Sequence, residues 1–357
     1  QLIPMAPPAL DRVIQTCLAK DPDERFQNAH DVRLQLEWVR DAGSQAGVPV
    51  PVAKRRKSRE ALAWGVAAVC ALVALLAGAL MLRQAPVEPR VLRAEIAPAQ
   101  ETVFSLSPSS PGPVVVSPDG RMLAWAAVGI DGNTTLWVRD LAETSSQEIE
   151  DSRDVSYPFW SPDSKSIGYF ADGKIKKVLA TGGPSITIGE AAIPKGATWS
   201  ENGVILYAPV HNGGIMQPSD EGEPPTPVTE LDPAREENSH RHPRFLPDGR
   251  HFLYFTRVGA MGTAVEGSGI WIGSLDGGEP VRLTHASSQA EYASGHLLFA
   301  RGNALLSQPF DADRREFTGD PQTVVEGVVA MSGAAIAAFS VSQQGLLAYQ
   351  VGGGDLM

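Results

Sequence analysis

The chain has 357 residues, a formal net charge of −11 at pH 7, and 43% hydrophobic against 20% charged residues. This balance is typical of a folded protein of two or three domains, and the acidic charge argues against a nucleic-acid-binding surface spread over the molecule. The only two cysteines, Cys17 and Cys70, exclude a disulfide framework and a four-ligand zinc site.

Residues 1–40 have a helical pattern. Apolar side chains recur at spacings of three and four: Leu10, Val13, Ile14, Cys17 and Leu18. This spacing predicts one helix ending near Lys20, and a second from about Ala29 to Val39, with a break at Asp21 and Pro22. Two such short helices cannot bury a core alone, so we expect them to pack against a larger body.

The stretch LDRVIQTCLAKDPDERFQNAHDVRLQLE resembles the last helices of the C-terminal lobe of a bacterial serine/threonine protein kinase. The resemblance covers about a tenth of the chain and implies a structural role for Asp21, Pro22 and Arg25. In such kinases the corresponding arginine pairs with a glutamate beyond the activation segment. That partner is absent here, which predicts a poorly ordered segment because a buried arginine without its carboxylate is costly.

The parts of a kinase that transfer phosphate are missing from the sequence. No glycine-rich loop, strand lysine, catalytic-loop aspartate or metal-binding aspartate precedes residue 40. We therefore predict no catalytic or cofactor-binding residue in this fragment, whereas the resemblance implies ATP and Mg in its parent. Asp140, which follows Arg139 as in a kinase catalytic loop, is predicted to lie on a propeller strand and turn.

An uncharged run over residues 61–82 follows a basic juxtamembrane linker over 41–60. A helix from Ala61 to Leu82 would rise by about 33 Å, enough to cross the hydrocarbon core of a bilayer. The basic string KRRKSRE lies just before it, so the positive-inside rule predicts a single-pass protein with a cytoplasmic N-terminus and an exterior or periplasmic C-terminal region.

A turn-and-strand phrase recurs beyond the uncharged run, beginning with SPDGRMLAW at 117–125 and SPDSKSIGYF at 161–170. The residue that closes the turn returns roughly every 40 to 50 residues, a period typical of propeller blades. The turn positions are Gly120, Ser164, Gly203, Gly249, Gly295 and Gly345. In this phrase proline sets the first corner, aspartate accepts backbone amides and glycine tolerates a positive φ.

The repeats resemble the TolB-like and WD-like propellers found on the exterior side of many bacterial membrane kinases. The predicted fold is therefore multi-domain: a short all-α kinase remnant, one transmembrane helix, and over 90–357 an all-β propeller of about six four-stranded blades. The sixth unit stops early, so either the stretch at 91–97 closes the ring or further blades follow. We favour the second alternative, because the final unit is incomplete and the chain ends abruptly.

Candidate sites within the repeats are few. Glu237, His240 and His242 lie in ENSHRHPRF and could bind a metal, but two histidines without a third defined ligand favour rim residues of a propeller. No metal site is therefore predicted. The scattered tryptophans are interpreted as blade core, and no Gly-x-Ser-x-Gly elbow of a serine peptidase occurs.

These patterns favour the C-terminal part of a receptor-like serine/threonine kinase whose exterior propeller binds a protein, peptide or glycan. The chain begins with Gln1 and ends at VGGGDLM, as expected for a fragment that would itself be inactive. The first alternative is a membrane-anchored propeller that only binds or scaffolds partners. A weaker alternative is the propeller of a peptidase. Nucleic acid is not an expected partner.

Overall fold

The computed structural model describes residues 8–43, 64–76, 93–219, 223–259 and 267–352. The chain divides into two compact units, Gln1–Ala94 and Glu95–Met357. The first contains helices and the second contains strands.

The first unit begins with two helices that match the predicted pattern. Helix α1 spans Pro8–Cys17 and helix α2 spans Ala29–Gly43, with a 3-10 turn at Pro22–Glu24 between them. The Asp21 side chain caps this turn by accepting the amide of Asp23. Arg25 donates through Nε to the carbonyl of Ala19 at 2.7 Å, and through a second nitrogen to Lys20 at 3.4 Å. Its guanidinium thus has local backbone acceptors.

The predicted transmembrane helix and single-pass localisation are wrong. Within the described residues, no helix is both long and apolar enough to cross a membrane. Residues 64–76 are helical. The predicted ends, Ala61 and Leu82, lie outside the described residues.

The second unit is a β-propeller, in which antiparallel sheets are arranged around an axis. The first sheet contains β1 (Thr102–Phe104), β2 (Val115–Val116), β3 (Met122–Gly129), β4 (Thr134–Asp140) and β5 (Gln147–Glu148). The second contains β6 (Ser156–Trp160), β7 (Ser166–Ala171), β8 (Lys174–Leu179) and β9 (Ile186–Glu190). The third contains β10 (Ala197–Trp199), β11 (Ile205–Tyr207), β12 (Met216–Gln217) and β13 (Thr226–Pro227).

In the remaining sheets, strands that follow each other in the chain are again hydrogen-bonded neighbours, except that the last strand of the fifth sheet pairs with the third strand of that sheet. The fourth contains β14 (Glu237–Phe245), β15 (His251–Val258), β16 (Gly269–Ser274) and β17 (Val281–His285), after a 3-10 turn at Pro233–Arg235. The fifth contains β18 (Ala290–Ala293), β19 (His296–Arg301), β20 (Ala304–Asp311), β21 (Glu316–Phe317) and β22 (Gln322–Val325). Two small hairpins follow: β23 (Ala330–Met331) with β24 (Ile336–Ala337), and β25 (Phe339–Val341) with β26 (Leu347–Tyr349).

The prediction of six four-stranded blades is wrong, because the described residues form five complete blades. The sixth repeat supplies only the hairpin β25–β26. This hairpin lies between the last and first blades: the Ser340 hydroxyl accepts the amide of Val116 at 3.0 Å, and Glu291 accepts the amide of Val341 at 2.9 Å. Residues 93–97 form no strand.

All six turn residues that define the repeat have the predicted left-handed backbone. Their φ values are 71° at Gly120, 60° at Ser164, 84° at Gly203, 64° at Gly249, 78° at Gly295 and 87° at Gly345. In the first turn, Asp119 accepts the Ser117 hydroxyl at 2.6 Å and the Arg121 amide at 3.1 Å. The aspartate therefore holds the tight connection between two strands, as its chemistry predicts.

The core consists of apolar side chains between neighbouring blades. One cluster joins the first two blades through Leu136 and Ala126 on one side and Ile167 and Tyr169 on the other, all without exposed surface. Alternate residues of each strand face this layer, as expected for sheets covered on both sides. Packing of blade against blade thus stabilises the ring and fixes the innermost strands around the axis.

Candidate functional site

The innermost strand of each blade lines the axis, and three consecutive blades share an unusual backbone there. Tyr157, Gly196 and His242 stand at equivalent positions before the repeated turn, with φ values of 46°, 91° and 50°. Each neighbouring strand is close enough for a direct bond between blades: the Tyr157 amide donates to Pro111 and the His242 amide to Lys195, both at 2.8 Å. Positive φ in a tyrosine or histidine is uncommon and marks a constrained position.

A cavity of about 490 Å³ lies along this axis, between the inner strands and the turns that follow them. It is large enough for a small ligand or a short peptide segment. Its wall is rich in aromatic residues and prolines from several blades: Pro118, Phe159, Trp160, Pro162, Trp199, Phe245, Pro247 and Tyr292. The sixth repeat contributes Val341 and Gln343. We call this space the axial cavity.

One ion pair crosses the wall of the axial cavity between the fourth and fifth blades. An Arg244 guanidinium nitrogen lies 2.6 Å from Glu291 Oε1, and the side chains are 32% and 8% exposed. The other Glu291 oxygen accepts the Val341 amide. Because the carboxylate is held on both sides, it orients the guanidinium, whose remaining N–H donors have no other partner among the described residues and could bind a carbonyl or carboxylate.

His242 is a fixed part of the wall rather than a proton donor. Burial lowers its pKa to about 3, with the charges of Arg241 and Lys195 acting in the same direction and the Ala334 carbonyl opposing them. The imidazole is therefore neutral at physiological pH, and its Nε2–H donates to the Ala334 carbonyl at 2.8 Å. A Cβ at Gly196 would lie only 2.7 Å from His242 Nδ1, so glycine is required there by space as well as by φ.

The histidine motif at 237–245 separates into two networks. His240 Nε2 lies 3.1 Å from Glu237 Oε2, and its Nδ1 lies 2.7 Å from the Thr229 hydroxyl. Burial opposes ionisation of Glu237, but the Asp232 amide, Arg235 and His240 together lower its pKa. Both ring nitrogens of His240 are thus engaged, and His242 bonds elsewhere. No group of three metal-ligating side chains occurs within the described part of the chain.

The turns that follow the inner strands were predicted from the sequence, but the side chains that line the axial cavity were not. The tryptophans predicted to be core divide into two groups: Trp125, Trp160 and Trp271 are buried, whereas Trp137 and Trp199 are half-buried. Trp199 faces the axial cavity. The sequence signal that could have identified Trp199 is its position in TWSENG, which is equivalent to the position of Trp160 in FWSPDS. Nothing in the sequence pairs Arg244 with Glu291, which are separated by a whole blade.

The residues that resemble a kinase lobe, Asp21, Pro22 and Arg25, lie in the capped turn between α1 and α2. These residues are brought together by local backbone hydrogen bonds. Asp140, which follows Arg139 as in a kinase catalytic loop, is the last residue of strand β4 and accepts the Ala142 amide at 2.8 Å. This position agrees with the predicted strand and turn.

No protein-family model and no curated protein matches the chain. Several solved structures are similar in part. TolB from Acinetobacter baumannii is 15% identical with a TM-score of 0.45, over 60% of this chain and 56% of that one, less than two thirds of its length. A candidate TolB from Agrobacterium tumefaciens is 18% identical with a TM-score of 0.44, over 60% and 80% of the two chains. A gluconolactonase from Xanthomonas campestris is 12% identical with a TM-score of 0.43, over 72% and 84%. The chain's own sheets define it as a β-propeller.

Proposed function

We propose that the propeller is a binding module whose axial cavity takes a short peptide segment of a protein partner. The observation that carries this proposal is the cavity of about 490 Å³ with aromatic and proline side chains from several blades. Aromatic side chains supply large apolar contact area at little entropic cost and are enriched in protein interfaces. This proposal develops the alternative of a propeller that only binds or scaffolds partners, and it requires no catalytic residue.

The polar groups of the wall support a peptide as the occupant. Arg244, held by Glu291, offers charge-assisted donors to a backbone carbonyl or an acidic side chain. Glu201 and Gln343 lie toward the turns and can bond a peptide amide. A glycan could also stack on aromatic rings, and it is the competing occupant that the experiment must separate.

The test is selection of a displayed peptide library, and of a glycan array, on the full chain. We expect peptides and no glycans, and Trp199→Ala should weaken the selected peptide at least about thirtyfold, as for a central interface aromatic. Trp137→Ala is the matched control, since Trp137 is also half-buried but lies outside the axial cavity. Glu201→Lys, at an exposed position, tests the same wall without risk to folding.

Selection of glycans alone would overturn the peptide assignment. Equal loss of peptide binding in the Trp199 and Trp137 variants, with full binding by Glu201→Lys, would place the peptide outside the axial cavity.

A second candidate concerns the helical unit: we propose that it is the end of a serine/threonine kinase domain. Support comes from the match of the sequence around Asp21, Pro22 and Arg25, together with the capped turn that these residues form. The complete reading frame tests it. A glycine-rich loop and a catalytic aspartate encoded upstream of Gln1 are expected, and an upstream region without them would contradict the proposal.

A further inference from the structure

Three basic side chains are buried together near the end of the axis where the inner strands begin. Lys195, Arg241 and Arg257 are 4%, 1% and 5% exposed. Lys195 and Arg241 directly precede the equivalent positions Gly196 and His242 in adjacent blades, which explains why they converge. Arg257 lies on β15 in register with Ser239, two residues before Arg241. We call these three residues the cationic cluster.

The cationic cluster has no acidic partner in the described part of the chain. Lys195 Nζ donates to the Ser109 carbonyl at 2.8 Å and approaches the Tyr157 hydroxyl at 3.3 Å. Arg241 donates to the Ser239 hydroxyl at 2.7 Å and to the carbonyls of Gly333 and His211 at 3.0 and 3.2 Å. These neutral acceptors solvate the two cations without neutralising them.

Arg257 differs from the other two members. Among the described residues, its guanidinium has neither a hydrogen-bond acceptor nor a carboxylate within ion-pair distance. Arginine stays charged in proteins, and the Arg257 nitrogens are not among the fully buried unpartnered atoms, so its guanidinium keeps some accessible surface through which an anion could reach it. The Nδ1 atom of His211, whose carbonyl bonds Arg241, is also buried without a partner. One buried polar atom beside the cationic cluster thus remains unsatisfied, and the Arg257 guanidinium has no protein acceptor.

Electrostatics within the cluster is repulsive. The pKa of Lys195 is lowered to about 8, first by burial and then by the charges of Arg241 and Arg257. Burial and Arg257 likewise lower the pKa of Arg241 to about 10. An anion placed between the three groups would reverse the sign of this interaction and supply the acceptor that Arg257 lacks.

We propose that the cationic cluster binds a phosphate-type oxyanion, a site separate from the axial cavity. Two guanidinium groups and one ammonium match the several oxygens of a tetrahedral dianion, which arginine binds through paired N–H donors. Three positive charges also favour a dianion over a single carboxylate. The inference goes beyond peptide binding and stands or falls independently of it.

The experiment measures binding of inorganic phosphate to the full chain by calorimetry and by thermal unfolding, at constant ionic strength set with sodium chloride. We expect saturable binding and a rise of Tm with phosphate. Arg257→Gln should weaken phosphate binding at least about tenfold, because it removes a charge-assisted donor. Arg250→Gln is the matched control, since Arg250 is 67% exposed and pairs with Asp276 on the surface.

Lys195→Met provides a second variant if Arg257→Gln does not fold, with the same expected loss. Phosphoserine and acetate separate the sources of the anion. Binding of phosphoserine as tight as that of phosphate would assign the site to a phosphoryl group on a larger molecule, still within the proposal. An equal response to acetate or chloride, or equal phosphate affinity in the Arg257 and Arg250 variants, would overturn it.

Discussion

At the residue scale, backbone conformation at the axis determines which side chains are allowed there. Gly196 combines a φ of 91° with a neighbour that leaves no room for a Cβ, since His242 Nδ1 would lie 2.7 Å away. Gly203, in the turn of the same blade, has a φ of 84° but open space around it. Substitutions at these two glycines therefore distinguish the free-energy cost of a left-handed backbone from the cost of a steric clash with His242.

Gly196→Ala should destabilise the chain more than Gly203→Ala. The left-handed backbone costs an L-residue about 1–2 kcal/mol, and the clash with the buried His242 adds about 1–3 kcal/mol. Urea unfolding of both variants measures the difference in the free energy of unfolding. Equal losses would show that His242 yields without cost and is not the rigid wall described above.

Asp163 of the second repeated turn links local hydrogen bonding to pH dependence. The Ser161 hydroxyl and then the Lys165 amide donate to this carboxylate, and they lower its pKa. A lowered folded-state pKa contributes stability above the unfolded value of about 3.9, and this contribution is lost as the pH falls through the folded value. The wild type should therefore exceed Asp163→Asn in stability at pH 7, and the difference should shrink toward pH 2.

The measurement is thermal unfolding of both proteins from pH 7 to pH 2, with Asp313→Asn, an exposed loop position, as control. A difference between wild type and Asp163→Asn that is constant over this range would refute the role of the ionised carboxylate.

At the element scale, the two small hairpins β23–β24 and β25–β26 are held in the ring by side chains of the neighbouring blades. Gln289, just before β18, accepts the Ala337 amide and donates to the Ala337 carbonyl, both at 2.9 Å. Glu291 and Ser340 add the bonds to Val341 and Val116. A two-stranded hairpin is marginal alone, so the Gln289 bonds to β24 and the Glu291 and Ser340 bonds at β25 stabilise the two hairpins against the fifth and first blades.

Gln289→Met should destabilise the chain by about 2–4 kcal/mol, because it leaves both backbone groups of Ala337 buried and unpaired. Gln308→Met is the matched control: Gln308 bonds the Gly319 carbonyl at an exposed site, and we expect less than about 0.5 kcal/mol. Urea unfolding followed by tryptophan fluorescence measures both. A loss no greater than that of the control would show that the hairpin β23–β24 does not depend on Gln289.

At the scale of the whole molecule, the repeat could be predicted because its turn chemistry is local. Proline and aspartate precede the left-handed residue in the turns at Gly120, Ser164 and Gly249, whereas the turns at Gly203, Gly295 and Gly345 keep only the glycine; all six have the predicted positive φ. The number of complete blades depends on long-range strand pairing, which the sixth turn does not encode. The uncharged run at 61–82 predicted a membrane span from hydropathy, whereas within the described residues no helix is both long and apolar enough to cross a membrane. The pairing of Arg244 with Glu291 likewise depends on the closed ring.

Peptide binding in the axial cavity is tested most directly by hydrogen–deuterium exchange of the full chain with a selected peptide. Amides of the wall should be protected on binding, chiefly those in the ranges 157–162, 196–201 and 289–295, while β5, β9 and β17 at the outer edges should exchange unchanged. Protection confined to the outer strands or to α1 and α2, with the wall unaffected, would contradict the proposal that the propeller binds its partner along the axis.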